Sequence, residues 1–177
     1  MHASSSTART AWLTGALAGL ALLGVAGAGP ASGQSKVDLQ VTDAAAVKKA
    51  IESNKGKVVL VNYWATWCGP CVDEFPSIVK LQNQYRDKGL VVIGVSFDDP
   101  DDKEKVVAFA GQNNVTFPLL MRKSGSLEKF SDGIDKRWSG VLPTSYVIDK
   151  SGKRVGKPMV GARSYEQFVA AVEPLLK

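Results

Sequence analysis

Histidine is almost absent from this 177-residue sequence, and cysteine occurs only twice. The single histidine is His2, in an N-terminal segment that we expect to be removed. A chain without imidazole cannot form a serine–histidine or cysteine–histidine nucleophile pair, and it cannot supply histidine ligands to zinc. Two cysteines are also too few for the dense disulfide framework of a small secreted miniprotein. These absences leave the two cysteines as the residues whose role has to be explained.

Acidic residues are missing from residues 1–33, where Arg9 is the only strong cation. An apolar run rich in glycine and alanine follows at 11–29, and small residues come after it. This order is typical of a secretory signal peptide that is cleaved near its end. The run also approaches the ~20 residues that span a bilayer, so a weak membrane anchor is the alternative. We therefore expect a signal peptide or weak anchor at 1–33 and one domain at 34–177.

No cluster of basic residues is present, although Lys and Arg total 22 against 17 Asp and Glu. Proteins that bind nucleic acids concentrate their cations in a patch or stripe. Here the two signs are interspersed, so we expect no nucleic-acid partner. The contents of 45% hydrophobic and 22% charged residues are typical of a globular domain.

Hydrophobic patterning predicts an α/β domain. The runs 58–64 and 90–97 are almost continuously apolar, as in strands that are buried on both faces. The predicted order is a loose lead-in at 34–41, helix 44–54, strand 58–64, helix 70–85, strand 90–97, helix 101–113, strand 117–121, a polar stretch at 122–137, strands 144–149 and 154–160, and a helix after the capping box at Ser164. Strands that alternate with helices run parallel, and the closing hairpin adds antiparallel strands. We expect a single mixed β-sheet with helices on both faces.

Cys68 and Cys71 lie directly after the strand 58–64, at the start of the next predicted helix. Their spacing places both sulfurs on adjacent positions of one helical face. Cys68 is at the helix N-terminus, where unpaired N–H groups and the helix dipole favour a thiolate. Pro70 suits the first helical turn, which does not use its missing N–H. Because a thiolate is the species that attacks disulfides, the pattern predicts a redox-active pair.

Two structural roles compete with this interpretation. A zinc site requires further cysteine or histidine ligands, and residues 34–177 contain none, so we expect no metal. An inert disulfide would close a very short ring and would constrain the unfolded chain little. Both roles are therefore weaker than the redox role.

The segment 58–71, with the sequence VVLVNYWATWCGPC, is similar to the active-site strand and motif of the thioredoxin superfamily. The tripeptide Glu74-Phe75-Pro76, the predicted helix at 101–113 and the segment 142–149 (LPTSYVID) resemble one extracytoplasmic branch, the TlpA/ResA-like redoxin-domain proteins. The resemblance covers 55–177. It implies a thioredoxin-like fold in which the helix at 101–113 is a central insertion.

The resemblance also implies an exported thiol–disulfide oxidoreductase, most simply a reductase of protein disulfides. By this resemblance Cys68 is the exposed nucleophile, and Cys71 is the resolving thiol that releases the reduced partner. Gly69 and Pro70 complete the motif, and Trp67 is a candidate for contact with the substrate. Expected partners are client proteins such as apocytochromes c, and a membrane thiol-transfer protein that supplies electrons. No cofactor beyond the disulfide of the two cysteines is expected.

Pro143 matches the family's cis-proline, whose loop lies beside the sulfurs. The resemblance implies that the backbone before it, at Leu142, pairs with a substrate strand. From the residue pattern alone, Pro143 also fits the start of an edge strand.

Asn62 lies six residues before Cys68, where thioredoxins carry a buried aspartate that handles the proton of the second thiol. Because asparagine does not titrate, another base is required. The neighbouring branch commonly has glutamate at the position of Glu74, three residues beyond Cys71 on the same predicted helix. We predict that Glu74 governs the proton of Cys71. The alternative is that Glu74 only complements the positive end of the helix.

Two other functions use the same fold. Peroxiredoxins have a proline and a threonine a few residues before the peroxidatic cysteine, whereas here Thr66 stands beside Trp67 and no such proline precedes it. A copper carrier or holdase could bind Cu(I) through two thiolates, but the copper-handling relatives use a wider cysteine spacing and a histidine. Thiol peroxidase and copper-binding or holdase module remain the alternative functions.

Overall fold

A computed structural model of the protein describes residues 37–177, so the predicted signal or anchor at 1–33 lies outside the described residues. The elements are β1 (Leu39–Thr42), α1 (Ala44–Glu52), β2 (Val58–Trp64), α2 (Gly69–Tyr85), β3 (Leu90–Ser96), α3 (Lys103–Gln112), β4 (Leu119–Arg122), α4 (Leu127–Asp135), β5 (Thr144–Ile148), β6 (Arg154–Val160) and α5 (Tyr165–Leu176), with single 3₁₀ turns at Arg86–Lys88 and Pro100–Asp102. Within the described range, no helix has both the length and the apolar character needed to cross a bilayer.

The six strands form one mixed sheet in the order β1-β4-β3-β2-β5-β6. Pairing is parallel from β1 through β2 and antiparallel from β2 to β5 and from β5 to β6. All seven residues of β2 are buried, because neighbouring strands and both layers of helices cover them. The mixed α/β sheet predicted from the sequence is confirmed.

Aromatic residues pack on both faces of the sheet. Tyr63 and Trp64 are adjacent in β2, so their side chains point to opposite faces. The Trp64 ring lies 4.5 Å from Phe75 of α2 and 5.1 Å from Phe109 of α3, measured between ring centroids. On the other face, the Tyr63 ring lies 4.8 Å from Trp138, in the loop that follows α4. The cysteine motif begins three residues after Trp64 and therefore extends from this buried aromatic core.

The predicted lead-in at 34–41 is partly wrong, because Leu39–Thr42 forms the edge strand β1. The strand pairs with β4 over four residues, and its middle residues are exposed. Its backbone ladder and the half-buried side chain of Leu39, which packs against the core, stabilise it. The short alternating pattern was for this reason too weak to predict.

The polar stretch predicted at 122–137 contains the helix α4. Ser126 caps it by accepting a hydrogen bond from the Lys129 N–H, and only Phe130 and Ile134 are buried. Gly133 permits α4 to approach α1, since a Cβ at this position would lie 2.6 Å from the Ala44 Cβ. Packing against the rest of the domain therefore stabilises a helix whose own sequence is mostly polar.

Candidate active site

The sheet topology brings three segments together at the carboxyl end of the central strand β2. Because β2 and β3 are parallel, Trp64 pairs with Ser96 at their carboxyl ends. Because β5 runs the other way, its first residue, Thr144, pairs with Tyr63. The cysteine motif after β2, the loop after β3 and the proline loop before β5 therefore meet at one place.

Cys68 and Cys71 form a disulfide, with their Cα atoms 5.2 Å apart. Cys68 is the N-cap of α2 and has an extended backbone, while Gly69 and Pro70 begin the helix. The Cys71 N–H donates a hydrogen bond to the Cys68 carbonyl oxygen at 3.0 Å. The sulfur of Cys68 therefore lies at the positive end of a 17-residue helix, as the sequence predicted.

The two cysteines differ in accessibility. Cys71 is completely buried, Cys68 is 7% exposed, and Trp67 beside them is 64% exposed. Cys68, the predicted nucleophile, is thus mostly covered in the disulfide form. Cys68 is nevertheless the only one of the two that solvent reaches.

The Leu142–Pro143 peptide bond is cis, as the resemblance implies. The Pro143 carbonyl oxygen accepts a hydrogen bond from the Gly161 N–H at 2.9 Å. The Thr144 hydroxyl donates to the Val141 carbonyl oxygen at 2.7 Å, which holds the loop from the other side. Among residues 37–177, the backbone N–H and carbonyl groups of Leu142 form no hydrogen bond.

Glu74 lies on α2 and is 3% exposed. Its carboxylate accepts a hydrogen bond from the Asn62 side chain at 2.8 Å and another from the Arg163 backbone N–H at 2.9 Å. Burial raises the pKa of Glu74 from 4.5 to about 7, and the hydrogen bonds from Arg163 and Asn62 oppose this rise only in part. A carboxyl group one helical turn from Cys71 can therefore both hold and release a proton near neutral pH.

Asn62 links Glu74 to the neighbouring strand. It is buried in β2, and its Nδ2 also donates to the Ser145 hydroxyl at 3.0 Å. Ser145 is its cross-strand neighbour in the register of β2 and β5. The Asn62 Oδ1 atom is buried and has no hydrogen-bond partner among the described residues.

Asp98 is a site residue that sequence reasoning missed. It is completely buried just after β3, and its two carboxylate oxygens accept hydrogen bonds from the Thr66 N–H at 3.1 and 3.0 Å. The hydroxyls of Thr66 and Ser96 also donate to it. Asp98 thus fixes the loop two residues before Cys68. The signal in the sequence is an acidic residue after a buried strand whose carboxyl end adjoins that of β2.

Asp98→Asn is expected to lower the free energy of unfolding by about 1–3 kcal/mol, since the amide keeps one acceptor oxygen and turns its NH₂ group towards donors that the second carboxylate oxygen binds. The oxidised proteins are compared by urea unfolding. Asp101→Asn is the matched control, because Asp101 is exposed and its side chain should contribute less than about 0.5 kcal/mol. Equal midpoints for parent and Asp98→Asn would contradict this role.

No group of three or more His, Cys, Asp or Glu side chains within 37–177 is placed to hold a metal ion.

The chain matches the model of the AhpC/TSA family over residues 33–154. It is 38% identical to the thioredoxin-like protein YneN of Bacillus subtilis over 122 residues, which cover 68% of this chain and 66% of YneN. It is 34% identical to the thiol-disulfide oxidoreductase ResA of Bacillus thuringiensis over 136 residues, which cover 77% of this chain and 73% of ResA.

A crystal structure of a thiol:disulfide interchange protein of the thioredoxin family from Chlorobium tepidum is similar in fold. It superposes with a TM-score of 0.60 at 30% identity. The superposition covers 71% of this chain and 84% of that structure.

Proposed function

This chain belongs to the AhpC/TSA family and is a thiol–disulfide oxidoreductase, and from this premise we propose that it reduces disulfides of client proteins outside the cytoplasm. The observation that carries the proposal is the Cys68–Cys71 disulfide at the N-terminus of α2, of which only Cys68 is accessible. A buried acid on the same helix, Glu74, supplies the proton transfer that such a cycle requires.

In the proposed cycle the reduced protein is the attacking species. The Cys68 thiolate attacks one sulfur of a client disulfide, which forms a mixed disulfide and releases the other client sulfur as a thiolate. The Cys71 thiolate then attacks the Cys68 sulfur, which forms the Cys68–Cys71 disulfide and releases the second client sulfur. The helix dipole stabilises the Cys68 thiolate in the first step. The client gains two electrons and the protein loses two.

Glu74 is the proposed acceptor for the Cys71 proton. Cys71 has no contact with solvent, so its proton needs an internal acceptor before the sulfur can attack. Asn62 can accommodate both forms of Glu74, because a rotation of its amide by about 180° exchanges donor and acceptor. The Asn62 NH₂ donates to the ionised carboxylate, and after the rotation its Oδ1 accepts from the protonated form. The unpaired Oδ1 supports this switch.

The proposed docking position for the client backbone is the proline loop. The free N–H and carbonyl groups of Leu142 can pair with an extended client segment, next to Pro143 and close to the edge where the cysteines lie. Trp67 is highly exposed beside Cys68 and can contact the same segment.

The proposed compartment and electron donor rest on the sequence. The predicted signal or anchor at 1–33 implies export to an oxidising compartment, where a reductase has to be re-reduced. A membrane thiol-transfer protein that carries electrons from the cytoplasm is the proposed donor. Apocytochromes c before haem attachment are one proposed class of client. The cycle requires no cofactor besides the cysteine pair.

Insulin reduction tests the proposal against the two alternative functions. We expect the protein to accelerate the precipitation of insulin in dithiothreitol, and Cys68→Ser to be inactive. Peroxide consumption and Cu(I) retention are measured on the same sample. Rapid peroxide turnover without insulin reduction would favour a thiol peroxidase, and stoichiometric copper retention without reduction would favour a copper-binding module.

The reduction potential is expected to lie nearer the ~−270 mV of thioredoxin than the ~−120 mV of the strong oxidant DsbA. The reason is the Gly69-Pro70 pair between the cysteines, which thioredoxin shares. Equilibration with glutathione or dithiothreitol buffers, followed by thiol alkylation, gives the value. A potential near the oxidising limit would reverse the proposed direction of electron flow.

A further inference from the structure

A groove of about 340 Å³ lies beside Trp67, the residue before Cys68. Its apolar side chains come from three separate parts of the chain, since Trp67 precedes α2, Leu127 begins α4 and Leu142 precedes the cis-proline. Phe97 and Trp138 also line it. A client segment that pairs with Leu142 while one of its cysteines reacts with Cys68 must therefore pass this groove.

The apolar side chains suit a bulky aliphatic or aromatic residue. Phe97 and Trp138 are almost fully buried, with ring centroids 4.8 Å apart, and form a fixed aromatic base. The Trp138 indole N–H is already engaged, because it donates to the Val141 carbonyl oxygen at 3.3 Å. Trp67 and Leu127, by contrast, remain 64% and 47% exposed. Large apolar side chains exposed together indicate a contact surface.

The rim of the groove carries negative charge. Glu128 and Asp132 line it one helical turn apart on α4, and both are exposed. Neither forms a salt bridge within the part of the chain that the structure describes, and the lining contains no lysine or arginine. The whole chain has a net charge of +5, so this acidic rim differs in sign from the protein that carries it. A cationic partner complements it.

We infer that this groove selects client segments in which a bulky apolar residue beside the target cysteine is followed by lysine or arginine. The apolar side chain of the client packs on the aromatic base, and the client's cation lies between Glu128 and Asp132. The inference rests on the proposed function, because the segment is part of the client whose disulfide Cys68 attacks.

Matched peptides test the selection. Three disulfide-bridged peptides carry Leu-Lys, Leu-Glu or Ser-Lys after the same cysteine, and kcat/KM for their reduction is measured with dithiothreitol as electron donor. At low ionic strength we expect the Leu-Lys peptide to be reduced about tenfold faster than the Leu-Glu peptide, and this ratio to fall as salt is added. The Ser-Lys peptide should also be slower than Leu-Lys, because it leaves the aromatic base unfilled.

Charge variants test whether Glu128 and Asp132 cause the preference for lysine. The double variant Glu128→Gln/Asp132→Asn should lose the preference for lysine, and Glu128→Lys/Asp132→Lys should reverse it. Glu52→Lys/Glu104→Lys is the matched control for the double lysine variant, because it makes the same change in net charge at exposed positions that do not line the groove. The control should keep the parent's preference.

A small neutral disulfide, hydroxyethyl disulfide, distinguishes a failure of the reductase function from a failure of the inference about the groove. All variants should reduce it at the parent's rate. If the parent reduces neither this disulfide nor any of the three peptides, the proposed function fails. If the parent reduces it but does not prefer Leu-Lys, or if the rim variants and the control change the preference equally, the inference about the groove is overturned and the reductase function stands.

Discussion

Cys71→Ser will accumulate mixed disulfides with client proteins, whereas Cys68→Ser will trap none. In the first variant the Cys68 thiolate can still attack, but no second thiol displaces the client. In the second variant the remaining thiol is completely buried and cannot reach a client disulfide. Both variants should reduce insulin no faster than dithiothreitol alone, so the expected loss of catalysed activity is complete.

Non-reducing gel electrophoresis of the reduced variants after incubation with an oxidised client measures the trapped species. The variant that lacks both cysteines is the control for non-covalent association. A band that disappears on reduction should form with Cys71→Ser only. Equal trapping by the two single variants would show that the attacking cysteine is wrongly assigned.

The strands that position this site were predictable because neighbouring strands and helices on both faces of the sheet cover their residues. The run 58–64 is apolar except for Asn62, since β2 lies between two strands and beneath helices on both faces, and β2 has the predicted bounds. Ser164 with Gln167 likewise forms the predicted capping box, because this interaction is local in sequence. Local rules and continuous burial are the cases in which sequence alone suffices.

The elements that were missed depend on distant partners. β1 exists because β4, about 80 residues away, supplies its backbone partners, as in the pairing of Leu39 with Leu119. α4 has only two buried residues, and its position depends on a close approach to α1. No local pattern contains this information.

In the site too, local patterns were predictable from the sequence and contacts between distant residues were not. The spacing of Cys68, Cys71 and Glu74 on one helix could be read directly from the sequence. The Arg163 N–H that binds Glu74 is 89 residues away, and Asp98 is 32 residues from Thr66. The acidic groove was also hidden, because one of its walls is the unpredicted helix α4. The sequence therefore predicts which cysteines react, and the fold shows which distant groups lie around them.

Glu74→Gln should slow disulfide exchange near neutral pH by about 10²-fold, the lower end of what a positioned proton-transfer group contributes. The amide cannot accept the Cys71 proton. The substitution also removes a negative charge near the thiols. Because a like charge disfavours a second ionisation, the thiol pKa values should fall. Lower thiol pKa values together with slower exchange would distinguish a proton acceptor from a group that acts by its charge alone.

Thiol titration and exchange rates across pH give both quantities. Asp73→Asn is the matched control, because Asp73 is the exposed neighbour of Glu74 on α2. It removes the same charge from the same helical turn and should leave the rate profile unchanged. Superimposable profiles for parent and Glu74→Gln would leave Glu74 only the role of stabilising the helix.

Stability of the oxidised protein provides a second and independent readout of Glu74. Burial raises its pKa in the folded state to about 7, above the unfolded value of 4.5, so the fold favours the protonated form. Its contribution to stability is therefore fully present below the unfolded pKa and is lost as the pH rises through about 7. Between about pH 5 and about pH 9, the urea midpoint of the parent should fall more than that of Glu74→Gln. Parallel pH dependence in the two proteins would show that burial does not raise the pKa of this carboxyl group.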